Sequence, residues 1–167
     1  MPETMARSAG ISECGRYRWW LRRTWSEGPR LLWICLNPSV ADGQKDDNTI
    51  RKIVAFSKRE GYGGLSIVNL FGFRATDPTE LKKAPSPWGQ ERLTHVHIEL
   101  LFADAVVCAW GVHGAYLDAG ERMKRWLGRT TKPVLCLGTT KDGHPKHPLY
   151  LPGDTPFVPF DIPDYTG

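Results

Sequence analysis

The feature that most constrains this chain is an apolar run that ends abruptly. Leu31-Leu32-Trp33-Ile34-Cys35-Leu36 carries no strongly polar side chain, and Asn37-Pro38-Ser39 follows at once. A run of this length without alternation suits a strand covered on both faces. Pro38 has no N–H for the ladder and fixes its own φ, so the strand stops there. Asn37 then stands at the carboxyl end of a central strand. In open α/β sheets ligands bind just beyond such ends. Asn37-Pro38-Ser39 is therefore the first candidate for a site.

The following residues supply a crossover. Asp47 or Asn48 reads as an N-cap, and Ile50, Ile53, Val54 and Ser57 recur at helical spacing. Gly61 in Gly61-Tyr62-Gly63-Gly64 suits a helix end. Residues 65–70 predict a second buried strand, again closed by an asparagine, Asn69. Strand–helix–strand crossovers join parallel strands, so Asn37 and Asn69 are expected on one sheet edge. Residues 89–102 predict a helix with Leu93, Val96, Leu100 and Leu101 inward. Residues 105–110 predict a third strand, 115–127 a helix with Ala119, Met123, Trp126 and Leu127 inward, and 134–137 a fourth strand. The connections over 71–88 and 138–152 are long enough to be functional. Residues 16–25 interleave aromatic and basic side chains. They suit a strand or edge hairpin with its aromatics in the core and its arginines in water, or a nucleic-acid contact.

The expected fold is a single α/β domain, a three-layer sandwich around a mostly parallel four-stranded sheet. A loose N-terminal stretch (1–15) and an extended proline-rich tail (153–167) flank it. Hydrophobic residues make up 41% and charged residues 24%, which excludes a disordered chain. The net charge of +4 permits a polyanionic partner without requiring one. No apolar run approaches the ~18 residues of a membrane span, and residues 1–10 lack a signal core, so a cytoplasmic protein without membrane partners is expected. Cys14, Cys35, Cys108 and Cys136 form no Cys-x-x-Cys pair. They read as reduced thiols, with neither disulfides nor a metal site, and no cofactor is expected.

Several motifs, in order, resemble an uncharacterised bacterial and phage family, domain of unknown function 1643. They are Leu36-Asn37-Pro38-Ser39 with Ala41-Asp42, Asp46-Asp47 with Thr49-Ile50-Arg51, and Gly61-Tyr62-Gly63-Gly64. Asn69-Leu70-Phe71, Arg74-Ala75-Thr76-Asp77-Pro78, Ala109-Trp110-Gly111 and Gly143-His144-Pro145 through Leu149 complete the set. That resemblance implies no activity. A more distant pattern resembles the uracil-DNA glycosylase superfamily and implies its fold. In that superfamily an Asn-Pro motif orients the attacking water, and Asn37 occupies its place. A later strand ends in an asparagine that reads the base edge, as Asn69 does, and a third runs into Trp-Gly, as Trp110-Gly111 does. A His-Pro loop stabilises the leaving base and wedges the duplex. Here it would be His144-Pro145-Lys146-His147-Pro148-Leu149, whose extra residue leaves open which histidine aligns. Leu36 and Ser39 replace the motif's two glycines, and Phe71 is the candidate to stack on the base.

Cleaving an N-glycosidic bond needs an oriented water and a stabilised leaving base. Asn37 can hold the water, or simply end a strand. Asp42 is the candidate to activate it; Asp47 suits a helix cap better. Asn69 offers a donor and an acceptor to a base edge. His144 or His147 can meet a developing anion, and Arg74 a phosphate, although Arg74 pairing with Asp77 is equally consistent. Pro38, Ser39, Phe71, Trp110, Gly111 and Lys146 complete the expected substrate contacts. The first expectation is a hydrolase, a DNA glycosylase-like enzyme acting on a modified or damaged base. The alternatives are an N-glycosidase of a free nucleotide or nucleoside, and a non-catalytic nucleic-acid-binding module of the same fold.

Overall fold

Seven strands form one mixed sheet: β1 (Ala6–Ile11), β2 (Arg18–Thr24), β3 (Arg30–Cys35), β4 (Gly64–Asn69), β5 (Ala105–Cys108), β6 (Val134–Cys136) and β7 (Val158–Pro159), in the order β1-β2-β4-β3-β5-β6-β7. They are seen in a computed structural model that describes residues 4–39 and 41–163. The outer parts of the expected N-terminal stretch and tail, residues 1–3 and 164–167, lie outside the described residues.

The parallel centre, β4-β3-β5-β6, consists of the four strands expected from the apolar runs. The expectation of a four-stranded, mostly parallel sheet is nevertheless corrected. Antiparallel β2 and β1 extend it beyond β4, and β7 beyond β6. Residues 6–11 are thus a paired strand and not loose. Ala-Arg-Ser-Ala-Gly-Ile has no apolar face to announce it, and backbone pairing with β2 holds it instead. The arginines of β2 also depart from expectation, since Arg18 and Arg23 are 3% and 0% exposed.

Helix α1 (Asn48–Arg59) covers one face. Its Ile50, Ile53 and Phe56 are buried with Leu31, Trp33 and Ile67 of the sheet. The Asp47 side chain accepts from Ile50 N and caps the helix, and Gly61, at φ +84°, follows its end. Helices α2 (Arg92–Phe102) and α3 (Ala119–Leu127) cover the opposite face, where Val96, Met123 and Leu127 join Leu32, Ile34 and Val106. The expected inner face of α2 is corrected: Val96 is buried, whereas Leu93 and Leu101 are exposed. Buried Glu99, which accepts a hydrogen bond from Arg22 Nε on β2, turns the helix so that those leucines face outward. The last helix begins at Ala119 and not at residue 115, because the backbone kinks at Tyr116 and Leu117. Among the described residues no helix is long and apolar enough to cross a membrane.

One irregularity lies beside the site. In the β1–β2 pairing Gly10 faces Trp20, but Ile11 faces Arg18, so Trp19 is the extra residue of a β-bulge. Trp19 and Trp20 consequently both lie on the α2 face. Trp19 stacks on His95 with ring centroids 6.0 Å apart, and Trp20 packs against the core there. Arg18 enters the other face, beside Cys35 and α1.

Candidate active site

A cavity of about 450 Å³ opens at the carboxyl edge of β3, β4 and β5. That is within the ~300–1,000 Å³ typical of small-molecule sites. The register pairs Cys35 with Asn69, which brings Asn37 and Asn69 to the same edge, as the two strand-ending asparagines predict. The amide of Asn37 is oriented by carbonyls. Its Nδ2 donates to Ala75 O at 2.7 Å and Pro38 O at 3.0 Å. Two acceptors on one side fix the amide nitrogen there and leave Oδ1 to accept from a water or a ligand. Ser39 Oγ donates to Asp47 Oδ2 at 2.7 Å, while Asp47 Oδ1 holds Ile50 N at 2.9 Å. Asp47 therefore both caps α1 and presents a carboxylate to the cavity.

Asn69 is the opposite case. It is 3% exposed, lines the cavity, and neither its Oδ1 nor its Nδ2 has a partner among the described residues. Buried amides are almost always hydrogen-bonded, because leaving them unpaired costs about 1–3 kcal/mol. Arg18 shares the condition. Its Nε is buried without a partner, and one guanidinium nitrogen donates to Ala41 O at 3.0 Å. Burial lowers its pKa to about 10, with Cys35 and Asp47 pulling it back up, so it is a cation at neutral pH. Burial pushes the neighbouring Cys35 thiol up to about 12, so that group is neutral.

The His-Pro loop contributes His147. Its Nδ1 accepts from Leu149 N at 3.2 Å, which leaves the proton of the neutral ring on Nε2. Burial, partly offset by Asp47, lowers its pKa and favours that neutral form. Gly111 ties this loop to the end of β5. It sits at φ +72°, a conformation that favours glycine, and donates to Pro145 O at 2.9 Å, with His147 in ordinary contact beside it. Trp110 forms a wall, 2% exposed and edge-on to Phe160.

Other expected site residues lie elsewhere. Asp42 does not line the cavity. Its carboxylate accepts from Gln44 N and Lys45 N, which stabilise the charge, lower its pKa and make it a poor base. Phe71 is fully buried against Trp88 and Tyr116, so it has no free face for a base. Arg74 donates to the Ser39 and Gly15 carbonyls and not to Asp77, whose side chain caps Thr79 N. His144 and exposed Lys146 belong to the loop but are not among the lining side chains. In their stead the fold brings in Arg18, Asp47, Thr49, His113 and Tyr150. The sequence offers Asp47 as a cap, Thr49 within a motif and Arg18 only within the basic and aromatic stretch 16–25, and gives His113 and Tyr150 no role.

A larger hollow of about 740 Å³ lies between α2 and α3, walled by Leu101, Arg122, Trp126 and Arg129. It contains no orphaned buried polar group. Of the four such atoms among the described residues, three belong to Arg18 and Asn69. That distinction makes the sheet-edge cavity the candidate. No group of three or more His, Cys, Asp or Glu side chains suited to a metal ion occurs among the described residues.

A family model described as a protein of unknown function, DUF1643, matches residues 18–149. The chain belongs to this family. No curated protein and no solved structure matches it. The DUF1643 span starts at Arg18 and ends at Leu149, both lining residues, and holds every lining residue except Tyr150. It leaves out β1 and β7, the two edge strands, so the family match coincides with the cavity and its supports.

Proposed function

We propose that the cavity receives a nucleobase and that the protein hydrolyses the N-glycosidic bond of a modified or damaged base in DNA. The observation that carries this reading is the Asn69 amide, buried, unpartnered and facing the cavity beside Asn37. A donor and an acceptor in one plane match the hydrogen-bonding edge of a base. Asn37 Oδ1 holds the attacking water, and Asp47 takes up its proton as the oxocarbenium-like sugar is captured. The glycosidic C–N bond breaks with its electron pair going to the base. His147 Nε2–H donates a hydrogen bond to the base nitrogen as charge develops there. Water ends as a hydroxyl on the sugar carbon and a proton on the released base, and no cofactor is consumed. The motif order resembles that of the uracil-DNA glycosylase superfamily, and that resemblance implies the same roles for Asn37, Asn69 and the His-Pro loop. Tyr150, 90% exposed at the mouth, and Lys146 on the same loop favour DNA over a free nucleotide, since an exposed ring stacks on bases and a lysine meets phosphates.

The test is unbiased. Wild type and Asn37→Ala are incubated with DNAs carrying varied natural modifications, phage DNA included, and with a panel of nucleotides; released bases are read by mass spectrometry. Release from DNA by wild type, reduced about 10²-fold or more in Asn37→Ala, is expected. Release only from free nucleotides would move the substrate. Release from neither, with no salt-sensitive DNA binding, would end the DNA reading.

A further inference from the structure

Arg18 is a buried cation without a direct ion pair. Among the described residues no carboxylate lies within ion-pairing distance; the carboxylate lining the same cavity, Asp47, is engaged by Ser39 and Ile50 N. Its single hydrogen bond goes to a backbone carbonyl, and its Nε is buried and unpaired. Charged groups inside proteins are paired or hydrogen-bonded because solvation is lost there. An arginine has five donors in a rigid planar fork that fits two coplanar acceptor atoms. Arg18 lines the cavity that Asn69 also faces.

We infer that Arg18 determines what enters the cavity: it selects a planar occupant with two adjacent acceptor atoms in the ring plane, whose neighbouring edge pairs with Asn69. Two chemistries meet this description, the O6/N7 side of a 6-oxopurine and a ring-bound carboxylate. A base that presents an amino group at that position puts a donor against donors and is rejected. This deepens the nucleobase reading given above, but it concerns binding alone. It stands or falls without any cleavage.

The experiment is titration calorimetry of the full chain with hypoxanthine, orotate, adenine and cytosine. Arg18→Met and Arg18→Lys are measured alongside, and melting curves establish that each variant is folded. Hypoxanthine or orotate is expected to bind at least tenfold more tightly than adenine and cytosine, and which of the two binds identifies the source of the acceptor pair. Arg18→Met is expected to lose that preference tenfold or more, and Arg18→Lys, which keeps the charge without the fork, to recover only part of it. Equal binding of adenine and hypoxanthine, an unchanged preference in folded Arg18→Met, or no binding of hypoxanthine and orotate would each overturn the inference. If neither variant folded, orotate or hypoxanthine binding by wild type would be scored by whether adenine competes for it, and effective competition would overturn it. Selective binding with no base released from any DNA or nucleotide would leave the inference standing and remove the glycosidase.

Discussion

Arg18 and Arg23 lie on the same strand and are almost equally buried, yet their surroundings are opposite. Arg23 uses its whole fork. Asp46 Oδ1 accepts from Nε at 2.9 Å and from Nη2 at 2.7 Å, and the carbonyls of Arg22 and Asp42 accept at 2.8 and 2.7 Å. Arg7 binds the other oxygen of Asp46 at 2.8 Å and so ties β1 to the same carboxylate. Arg18 has one side-chain hydrogen bond and lines the cavity. A buried charge that is fully paired holds a fold together. One left without an ion pair does not.

Removing Asp46 has the largest expected effect. Asp46→Ala would convert Arg23 into a second unpaired buried cation and sever β1 as well. Breaking such a pair costs about 3–5 kcal/mol, so the melting temperature should fall by roughly 10 °C. A fall of only a degree or two would show that Arg23 is no better anchored than Arg18.

Acid sharpens the same contrast. Burial alone would raise the Asp46 carboxyl, but the hydrogen bonds and charges of Arg23 and Arg7 outweigh it and hold its pKa below the usual value. Its stabilisation is therefore complete above about pH 4 and is lost as pH falls through the folded value. Asp46→Asn should flatten that limb of a stability-versus-pH curve. His147 has the opposite charge and the same sign. Its folded pKa lies below the ordinary ~6.5, so the unfolded chain binds the proton first and stability declines as pH drops under that value. Base release should decline at lower pH still, as pH falls through the depressed folded value, because protonation takes Nδ1 from Leu149 N. Activity that persists in acid, or an acid limb unchanged in His147→Gln, would separate His147 from the chemistry.

Arg18→Met is expected to melt within about 1 °C of wild type or slightly above it. The lost bond to Ala41 O is offset by removing an uncompensated buried charge. A clear drop would mean that Arg18 is structural after all. The smallest effect belongs to Asp42→Ala. It removes two hydrogen bonds to the backbone N–H groups of Gln44 and Lys45, worth about 1 kcal/mol in an exposed loop, and should leave base release within twofold. A large loss of release would return Asp42 to the site.

The parallel centre and the crossover helix were legible because each rests on a local signal: apolar runs for β3 to β6, and a cap with helical spacing for α1. Asn37, Asn69 and the Trp110-Gly111 turn followed from where those runs end. What could not be read depends on partners remote in the chain. β1 has no apolar face, and nothing in residues 16–25 tells that Arg23 meets Asp46 while Arg18 meets only the Ala41 carbonyl. Phe71 looks like a ligand-facing aromatic beside Asn69, but Trp88 closes over it from the far end of the same connection and Tyr116 from the turn before α3. His147 rather than His144 lines the cavity, in a loop tied to β5 by the Gly111 N–H to Pro145 O hydrogen bond, a contact with no sequence signature.

The single extra residue at Trp19 also has an evolutionary meaning. Side chains on a strand alternate between faces, and a bulge absorbs one residue without alternation, so Trp19 can be gained or lost while Arg18 keeps its side of the sheet. Without Trp19, Arg18 would directly precede Trp20 and alternate with it regularly, still directed at the cavity; what the extra residue adds is a second indole on the α2 face, stacked on His95. A change of length at this point therefore alters the α2 face and leaves the cation of the cavity where it is.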